Sequence, residues 1–149
     1  MMNERLVGTI DYDRKVFGKA DIVVEAALER VDLKQQIFAD LERVCRPDCI
    51  LSSNTSTIDV DVIAAKMKDP TRIVGAHFFS PAHVMPLLEI VRSKRTQPNI
   101  VRDVIAYGSK IKKTPVVVGN CTGFAVNRVF FPYTMAAMLL ADAGVDPYR

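Results

Sequence analysis

Short runs of apolar, β-branched residues alternate along this chain with longer segments in which apolar residues recur every three or four positions. Residues 21–25 form the first short run, which is typical of a buried parallel strand. In the segment that follows, apolar residues stand at 33, 37, 38, 41 and 44, the stripe of an amphipathic helix that ends near Pro47. The pattern therefore predicts a strand and then a helix over 31–44, the unit from which parallel sheets are built.

The same alternation continues to the end of the chain. Further strands are predicted at 49–53, 72–77, 87–91 and 115–119. Further helices are predicted from about 59 to 68, from 98 to 112 or 113, and from about 124 to 143. The order β-α-β-α-β-β-α-β-α predicts an α/β fold with parallel pairing at the centre of its sheet.

The last predicted helix is apolar on nearly every side, although Pro132 interrupts it and Gly144 follows it. A helix of this kind is expected to be buried on several sides. One interpretation is that its packing partner is missing or lies on another chain, which makes it a surface for self-association into a homo-oligomer. Ordinary membership of the core is the alternative.

Polar clusters follow four of the predicted strands, at residues 25–29, 53–56, 77–80 and 121–123. Ligands of open α/β sheets bind beyond the carboxyl ends of the strands. We therefore expect these four clusters to converge on one edge of the sheet.

Composition narrows the classes of partner. The chain has 149 residues, enough for about one domain, and a net charge of +3 that is too weak to indicate nucleic acid. Lys110, Lys112 and Lys113 form the only tight basic cluster; we interpret it as the polar end of a helix, with a phosphate groove as the alternative. The longest uncharged apolar run, 129–141, is shorter than the roughly 20 residues that cross a bilayer, so no membrane partner is expected.

The three cysteines, an odd number, favour a reducing compartment. We interpret Cys45 and Cys49 as structural thiols, with a metal or redox role as the alternative, and expect no metal site. Residues 1–5 lack the apolar core of a secretory leader, and residues 146–149 are not a peroxisomal address of the Ser-Lys-Leu type.

One candidate for chemistry is His77, which has Glu89 downstream inside an apolar strand. A neutral imidazole held by a carboxylate is the usual means of removing a proton near pH 7. The alternative is a buried histidine without a catalytic role, and the other histidine, His83, is interpreted as a loop residue.

Four other candidate residues each have an alternative interpretation in which they take no part in catalysis or binding. Ser56 could only cap the following helix, Asn127 could be satisfied by backbone contacts, and Glu29 and Lys34 could be surface charges at a helix start.

Together these segments resemble the L-3-hydroxyacyl-CoA dehydrogenase family, and most closely the dehydrogenase segment of plant-type peroxisomal multifunctional fatty-acid β-oxidation proteins. The resemblance is carried by residues 24–26, Glu29, Lys34, and residues 53–58, 77–83, 85–91 and 114–128. It implies NAD-dependent oxidation of a 3-hydroxyacyl-CoA, with an acyl-CoA thioester as substrate, and a peroxisomal location; without the resemblance a cytoplasmic one would be expected.

The resemblance also implies roles for individual side chains. His77 would take the hydroxyl proton as general base, and Glu89 would orient it. Ser56 and Asn127 would hydrogen-bond the reacting oxygen or the thioester. Contacts to the nicotinamide side of the cofactor are implied for Glu29, Lys34, Ser56 and Ser80, although many relatives carry Asn where this chain has Ser80.

The chain departs from the family in having no Gly-x-Gly-x-x-Gly loop to receive a pyrophosphate. We therefore expect a middle piece of the enzyme: residues 1–119 a partial dinucleotide-binding domain, of Rossmann type without its first βα unit, and residues 120–149 the start of a helical substrate and dimerisation domain. Two alternatives remain, a non-catalytic remnant that binds acyl-CoA or self-associates, and a dehydrogenase for a short 3-hydroxyacid without CoA.

Overall fold

A computed structural model describes residues 7–148 of the chain. Its helices and strands are, in chain order, α1 (Arg14–Phe17), β1 (Ile22–Glu25), α2 (Val31–Val44), β2 (Ile50–Ser53), α3 (Val60–Ile63), β3 (Ile73–Phe78), β4 (Leu87–Arg92), α4 (Pro98–Lys110), β5 (Thr114–Gly119) and α5 (Val126–Asp142). Short 3₁₀ turns at Ala64–Lys66 and Pro70–Arg72 lie between α3 and β3. The predicted α/β class is confirmed, and so are the five strands to within two residues at each end.

The five strands form one sheet in the order β1-β2-β3-β4-β5. β1, β2 and β3 are mutually parallel, β4 runs antiparallel to β3, and β5 runs parallel to β4. No helix connects β3 to β4, and a short connection without a helix allows only antiparallel pairing, because a parallel crossover needs a dozen or more residues. Helices α2 and α4, by contrast, provide crossovers.

The reversal at β4 makes one sequence expectation wrong. Phe78 at the end of β3 pairs with Leu88 near the start of β4, whereas Gly119 at the end of β5 pairs with Arg92. The carboxyl end of β5 therefore lies at the opposite edge of the sheet from those of β1, β2 and β3. β5 thus ends on the side opposite to the other three polar clusters, and residues 121–123 do not join them there.

The core has two parts, one on each face of the sheet, because side chains alternate along a strand. One face packs against α2 and α3 through Phe38, Leu41, Leu51, Val60, Ile63, Ile73 and Val91. The other packs against α4 through Val74, Ala76, Leu88, Ile90, Ile100 and Val104. By the same alternation, His77 and Glu89 belong to the α2–α3 face.

The helix predicted from 59 to 68 is shorter than expected. Asp59 caps α3 by accepting hydrogen bonds from the amides of Asp61 and Val62, and the α-helix ends after one turn. Since Asp59 fills the capping position, the interpretation of Ser56 as only a helix cap is wrong. Helix α1 was not predicted, because a four-residue helix shows no apolar period.

The observed bounds of α2 and α4 are close to those predicted from the sequence. α2 has the predicted bounds, and α4 begins at Pro98, which suits a first-turn position. Lys110 lies in the last turn of α4, and Lys113 donates hydrogen bonds to the carbonyl oxygens of Ala82 and Met85. The interpretation as the polar end of a helix therefore holds for Lys110, whereas Lys112 and Lys113 lie beyond the end of α4.

Helix α5 buries none of its residues against the rest of the described chain. Large apolar side chains on several sides of it are exposed, namely Val129, Phe130, Phe131, Tyr133, Met135, Met138, Leu139 and Leu140. The alternative of ordinary core membership is therefore wrong. No helix within residues 7–148 is long and apolar enough to cross a membrane.

The cysteines divide by position. Cys45 and Cys49 are buried and Cys121 is exposed, and all three are free thiols. Burial raises the pKa of the Cys49 thiol to about 12. Over the part of the chain that the structure describes, no group of three or more His, Cys, Asp or Glu side chains is arranged to hold a metal ion.

Candidate active site

A cleft of about 350 Å³ opens beyond the carboxyl ends of β1, β2 and β3. It is lined by Ala26, Ala27, Glu29, Lys34, Asn54, Ser56, His77, Phe78, Phe79, Ser80 and Asn127. Every side chain that the sequence singled out as a site residue lines this cleft, except Glu89, which lies behind His77.

His77 and Glu89 are direct partners across the antiparallel β3–β4 ladder. Their side chains therefore emerge on the same face of the sheet, close enough to interact. Nδ1 of His77 lies 2.8 Å from Oε2 of Glu89, and the two residues are only 7% and 1% exposed. A carboxylate can only accept, so Nδ1 donates to it and Nε2 is the ring nitrogen left for the cleft.

Two aromatic rings enclose the imidazole. The Phe79 ring centroid lies 4.4 Å from that of His77, and the Phe124 ring approaches at 5.9 Å, edge-on. Phe124 is buried and Phe79 half-buried. These contacts limit the rotation of the imidazole ring.

The segment after β5 returns to the site although its strand ends at the far edge. Asn120 anchors it by donating to the carboxylates of Asp59 and Asp61 and by accepting from the amide of Val60. The chain then reaches Asn127, whose Nδ2 lies 3.4 Å from the carbonyl oxygen of Ser56. Asn127 thus contacts the backbone of the Ser56 loop, as the alternative interpretation of this residue had it, and the chain reaches this place by a route that the sequence did not predict.

A buried ion pair supports the wall of the cleft at the end of β1. Nζ of Lys34 lies 2.7 Å from Oε1 of Glu25 and 3.3 Å from Oε2 of Glu29, and it also contacts the carbonyl oxygen of Ala27 at 3.3 Å. Glu25 in turn accepts a hydrogen bond from the hydroxyl of Ser53. The three protons of the ammonium group thus all have protein partners. The interpretation of Lys34 as a surface charge is wrong.

Glu29 connects this pair to the loop that carries Ser56. It accepts hydrogen bonds from the hydroxyl of Thr55 and the amide of Ser56. Partial burial acts to raise the pKa of Glu29, but the Thr55 hydrogen bond and the charge of Lys34 outweigh it, so the pKa lies below its ordinary value. Glu29 is therefore an ionised, partly exposed acceptor at the mouth of the cleft.

Three residues of the site were not identified individually from the sequence, although Glu25 and Asn54 belong to the polar clusters at 25–29 and 53–56. Glu25 ends a buried strand nine positions before Lys34, and a carboxylate in that context signals a buried partner. Asn54 accepts a hydrogen bond from the amide of Phe78 and so joins the loops after β2 and β3. Phe124 gave no signal, because its contact with His77 depends on how the chain returns after β5.

A larger cleft, of about 640 Å³, lies at the opposite edge of the sheet. Among the residues that line it are Arg46, Asp69, Arg72, Asp103 and Lys110. Its charges are of mixed sign, and none of the predicted site residues reaches it. Size alone does not identify the site in this fold.

Residues 2–121 match the family model described as "3-hydroxyacyl-CoA dehydrogenase, NAD binding domain". Among curated proteins, the chain is 60% identical over 144 residues to the glyoxysomal fatty acid beta-oxidation multifunctional protein of Cucumis sativus, covering 97% of this chain and 20% of that protein. It is 47% identical over 133 residues to the peroxisomal bifunctional enzyme of Homo sapiens, covering 89% and 18% respectively. The chain thus spans about a fifth of the length of these relatives.

Solved structures agree with this match. The 3-hydroxybutyryl-CoA dehydrogenase of Escherichia coli K12 superposes with a TM-score of 0.86 at 40% identity, over 90% of this chain and 28% of that one. The (S)-3-hydroxybutyryl-CoA dehydrogenase of Ralstonia eutropha gives 0.86 at 34% identity, over 90% and 47%. The resemblance stated from the sequence is confirmed.

Proposed function

Because this chain belongs to the 3-hydroxyacyl-CoA dehydrogenase family, by its match to the NAD-binding domain, we propose that it supplies the catalytic base for NAD-dependent oxidation of L-3-hydroxyacyl-CoA to 3-ketoacyl-CoA in fatty-acid β-oxidation. The observation that carries the proposal is the buried 2.8 Å contact between His77 and Glu89 at the cleft. A base held by a carboxylate is what removal of a hydroxyl proton near neutral pH requires.

In this proposal Nε2 of His77 accepts the proton of the substrate hydroxyl. Nδ1–H donates to Glu89 throughout, so the carboxylate selects the tautomer with a free Nε2 and stabilises the imidazolium that forms. The enclosed position of the pair supports this role, since burial removes competing water from the carboxylate.

NAD is the cofactor named by the family description, and the residues at the cleft fit its nicotinamide half. When bound, NAD accepts the C3 hydride. The partly exposed carboxylate of Glu29 is the kind of acceptor that binds ribose hydroxyls, and Ser80 and Ser56 provide further polar groups. Lys34 contributes through Glu29, because its ammonium group already has three protein partners.

Ser56 and Asn127 are proposed to bind the reacting oxygen or the thioester of the acyl-CoA substrate. Both line the cleft beside His77, and Asn127 lies within reach of the Ser56 loop. Donors placed where charge develops stabilise the transition state more than the ground state.

We also propose the division into residues 1–119, part of the dinucleotide-binding domain, and residues 120–149, the start of a helical substrate domain. The exposed apolar sides of α5 support this division, because they require a covering surface. A peroxisomal location is proposed because curated relatives from Cucumis sativus and Arabidopsis thaliana are named glyoxysomal and peroxisomal.

A chimera tests the catalytic proposal. The 144 residues of the Cucumis sativus protein that match this chain are replaced by this chain's residues, and NADH formation from a 3-hydroxyacyl-CoA is measured. We expect the chimera to be active and His77→Gln to lower its turnover by about 10²–10⁴, the range for loss of a general base. His83→Gln, in an exposed loop, is the matched control and should leave turnover unchanged.

The outcome also separates the proposed reaction from its alternatives. An inactive chimera that folds normally would favour a non-catalytic module. Equal activity on a 3-hydroxyacid without CoA would favour a CoA-independent dehydrogenase.

The uncovered helix α5 favours a second function, an interface between copies of this chain. Its exposed aromatic and methionine side chains are of the types enriched in protein interfaces. Sedimentation velocity should show concentration-dependent dimers that Phe130→Glu with Met138→Glu abolishes. Ile10→Glu, at an exposed apolar residue outside α5, is the control; a monomer at all concentrations would refute the interface.

A further inference from the structure

The first turn of α5 contacts the Glu89 carboxylate through the oxygen that His77 does not use. Oε1 of Glu89 accepts hydrogen bonds from the backbone amides of Ala125 at 3.0 Å and Val126 at 2.9 Å, while Oε2 lies against Nδ1 of His77. The two oxygens of one buried carboxylate are thus divided between the imidazole and a helix terminus. Glu89 cannot turn without breaking one set of contacts.

These amides are available to donate to Glu89 because no side chain at the N-cap position of α5 accepts a hydrogen bond from them. The amides of the first turn of a helix have no partner within the helix. Ala125 occupies the N-cap position and offers no side-chain acceptor, so a carboxylate from β4 takes that place. The charge is also favourably placed, since the N-terminus of a helix carries partial positive charge.

The direction of the two amides is set by the residues just before them. Gly123 and Phe124 both have a left-handed backbone, with φ of +74° and +49°. This conformation is uncommon for any residue other than glycine, and it is found preferentially at functional sites. It turns the chain so that the buried Phe124 ring packs edge-on against the His77 imidazole while the next two amides face Glu89.

We propose that Phe124 and the amides of Ala125 and Val126 are positioning elements for the catalytic base. They fix the carboxylate of Glu89, and the ring of Phe124 fixes the plane of the imidazole that the carboxylate orients. The inference rests on the proposed function of His77. It adds that His77 is correctly oriented only when the start of α5 is in contact with Glu89 in β4. The position of α5 therefore determines whether His77 and Glu89, the proposed catalytic dyad, are correctly arranged.

The test is the tautomeric state of His77 in the 149-residue chain, read from the ¹⁵N shifts of its ring nitrogens. His83, the second of only two histidines, is exposed in a loop and provides an internal reference. Gly123→Ala forces a side chain onto a left-handed backbone, where its Cβ would lie 3.2 Å from the amide nitrogen of Arg128. Gly144→Ala is the matched control, because it imposes the same substitution at φ +90°, with open space, at the other end of the same helix.

We expect the unmodified chain and Gly144→Ala to show His77 as a single Nδ1–H tautomer. In Gly123→Ala the separation between the two ring nitrogen signals should shrink toward that of His83. A folded Gly123→Ala variant whose His77 signals match the unmodified chain would overturn the proposal.

A second measurement needs no variant and decides the matter if Gly123→Ala does not fold. When His77 takes its second proton, the charge facing Glu89 changes, so the amide protons of Ala125 and Val126 should shift with the same midpoint as the His77 ring. The amide of Ala143, at the far end of α5, should not follow. Glu29 and Lys34 share the cleft, and the Thr55 hydrogen bond and the charge of Lys34 hold the pKa of Glu29 below its ordinary value.

Amides that ignore the His77 midpoint would refute the coupling. These spectra report the geometry of the dyad whether or not the chain oxidises any substrate. Their failure is therefore distinguishable from failure of the proposed reaction, which the chimera tests.

Discussion

Lys34 and Glu25 form a buried ion pair, with side chains only 1% and 2% exposed. Removing two charges from water costs free energy that their attraction and further hydrogen bonds must offset. Here Ser53 and the amide of Ala27 complete the shell of Glu25. Such a pair is sensitive to the loss of one member, because the other is left buried and unpaired.

We predict that Lys34→Met lowers the free energy of unfolding by roughly 3–5 kcal/mol, the usual cost of breaking a buried ion pair. Urea denaturation of the chain measures it. Arg30→Met is the matched control: its pair with Asp32 is exposed, so the free energy of unfolding should hardly change. Equal effects of the two substitutions would contradict the account of a buried, supporting pair.

The residues of the site differ in how far the sequence revealed them. His77 and Glu89 could be identified because an imidazole and a carboxylate inside apolar strands are chemically conspicuous. Phe124 could not, because a phenylalanine in an apolar segment looks like core. The backbone amides of Ala125 and Val126 leave no trace in a sequence at all.

The strands and the longer helices were predicted well because their apolar periodicity extends over enough residues to be recognised. The orientation of β4 and β5 was not, since a strand has the same pattern in either direction and only the connection from β3 decides it. That reversal places His77 opposite Glu89 in the ladder, so the element that was misjudged is the one that builds the dyad.

Close approach of β3 and β4 depends on Gly75. It pairs directly with Val91, and a Cβ added there would lie 2.6 Å from the Cβ of Val91. We predict that Gly75→Ala lowers the free energy of unfolding by roughly 1–3 kcal/mol through overpacking. Gly119→Ala, with nothing within 4 Å of the added Cβ, is the control. Thermal or urea denaturation measures the free energy of unfolding of both variants. An unchanged value for Gly75→Ala would show that the space between β3 and β4 accommodates a methyl group.

Considered as a whole, the chain contains the proposed base and the carboxylate that orients it, but its sequence has no Gly-x-Gly-x-x-Gly loop. Binding of a dinucleotide draws heavily on its pyrophosphate, which such loops receive at a helix N-terminus. The residues proposed for the nicotinamide side, Glu29, Ser56 and Ser80, offer few contacts by themselves.

We therefore predict that the 149-residue chain by itself binds NADH only weakly, whereas the chimera binds it normally. Isothermal titration calorimetry on both proteins measures the difference. Sub-micromolar binding by the chain alone would show that the cleft holds the cofactor without a pyrophosphate loop.

In the proposed mechanism His77 and Glu89 act as one unit, a base and the group that orients it. Turnover of the chimera carrying His77→Gln, Glu89→Gln and both substitutions measures whether they do. Residues that act together are strongly non-additive, so we predict that the double variant loses little more than His77→Gln alone. Losses that multiply, or a Glu89→Gln variant with unchanged turnover, would contradict the claim.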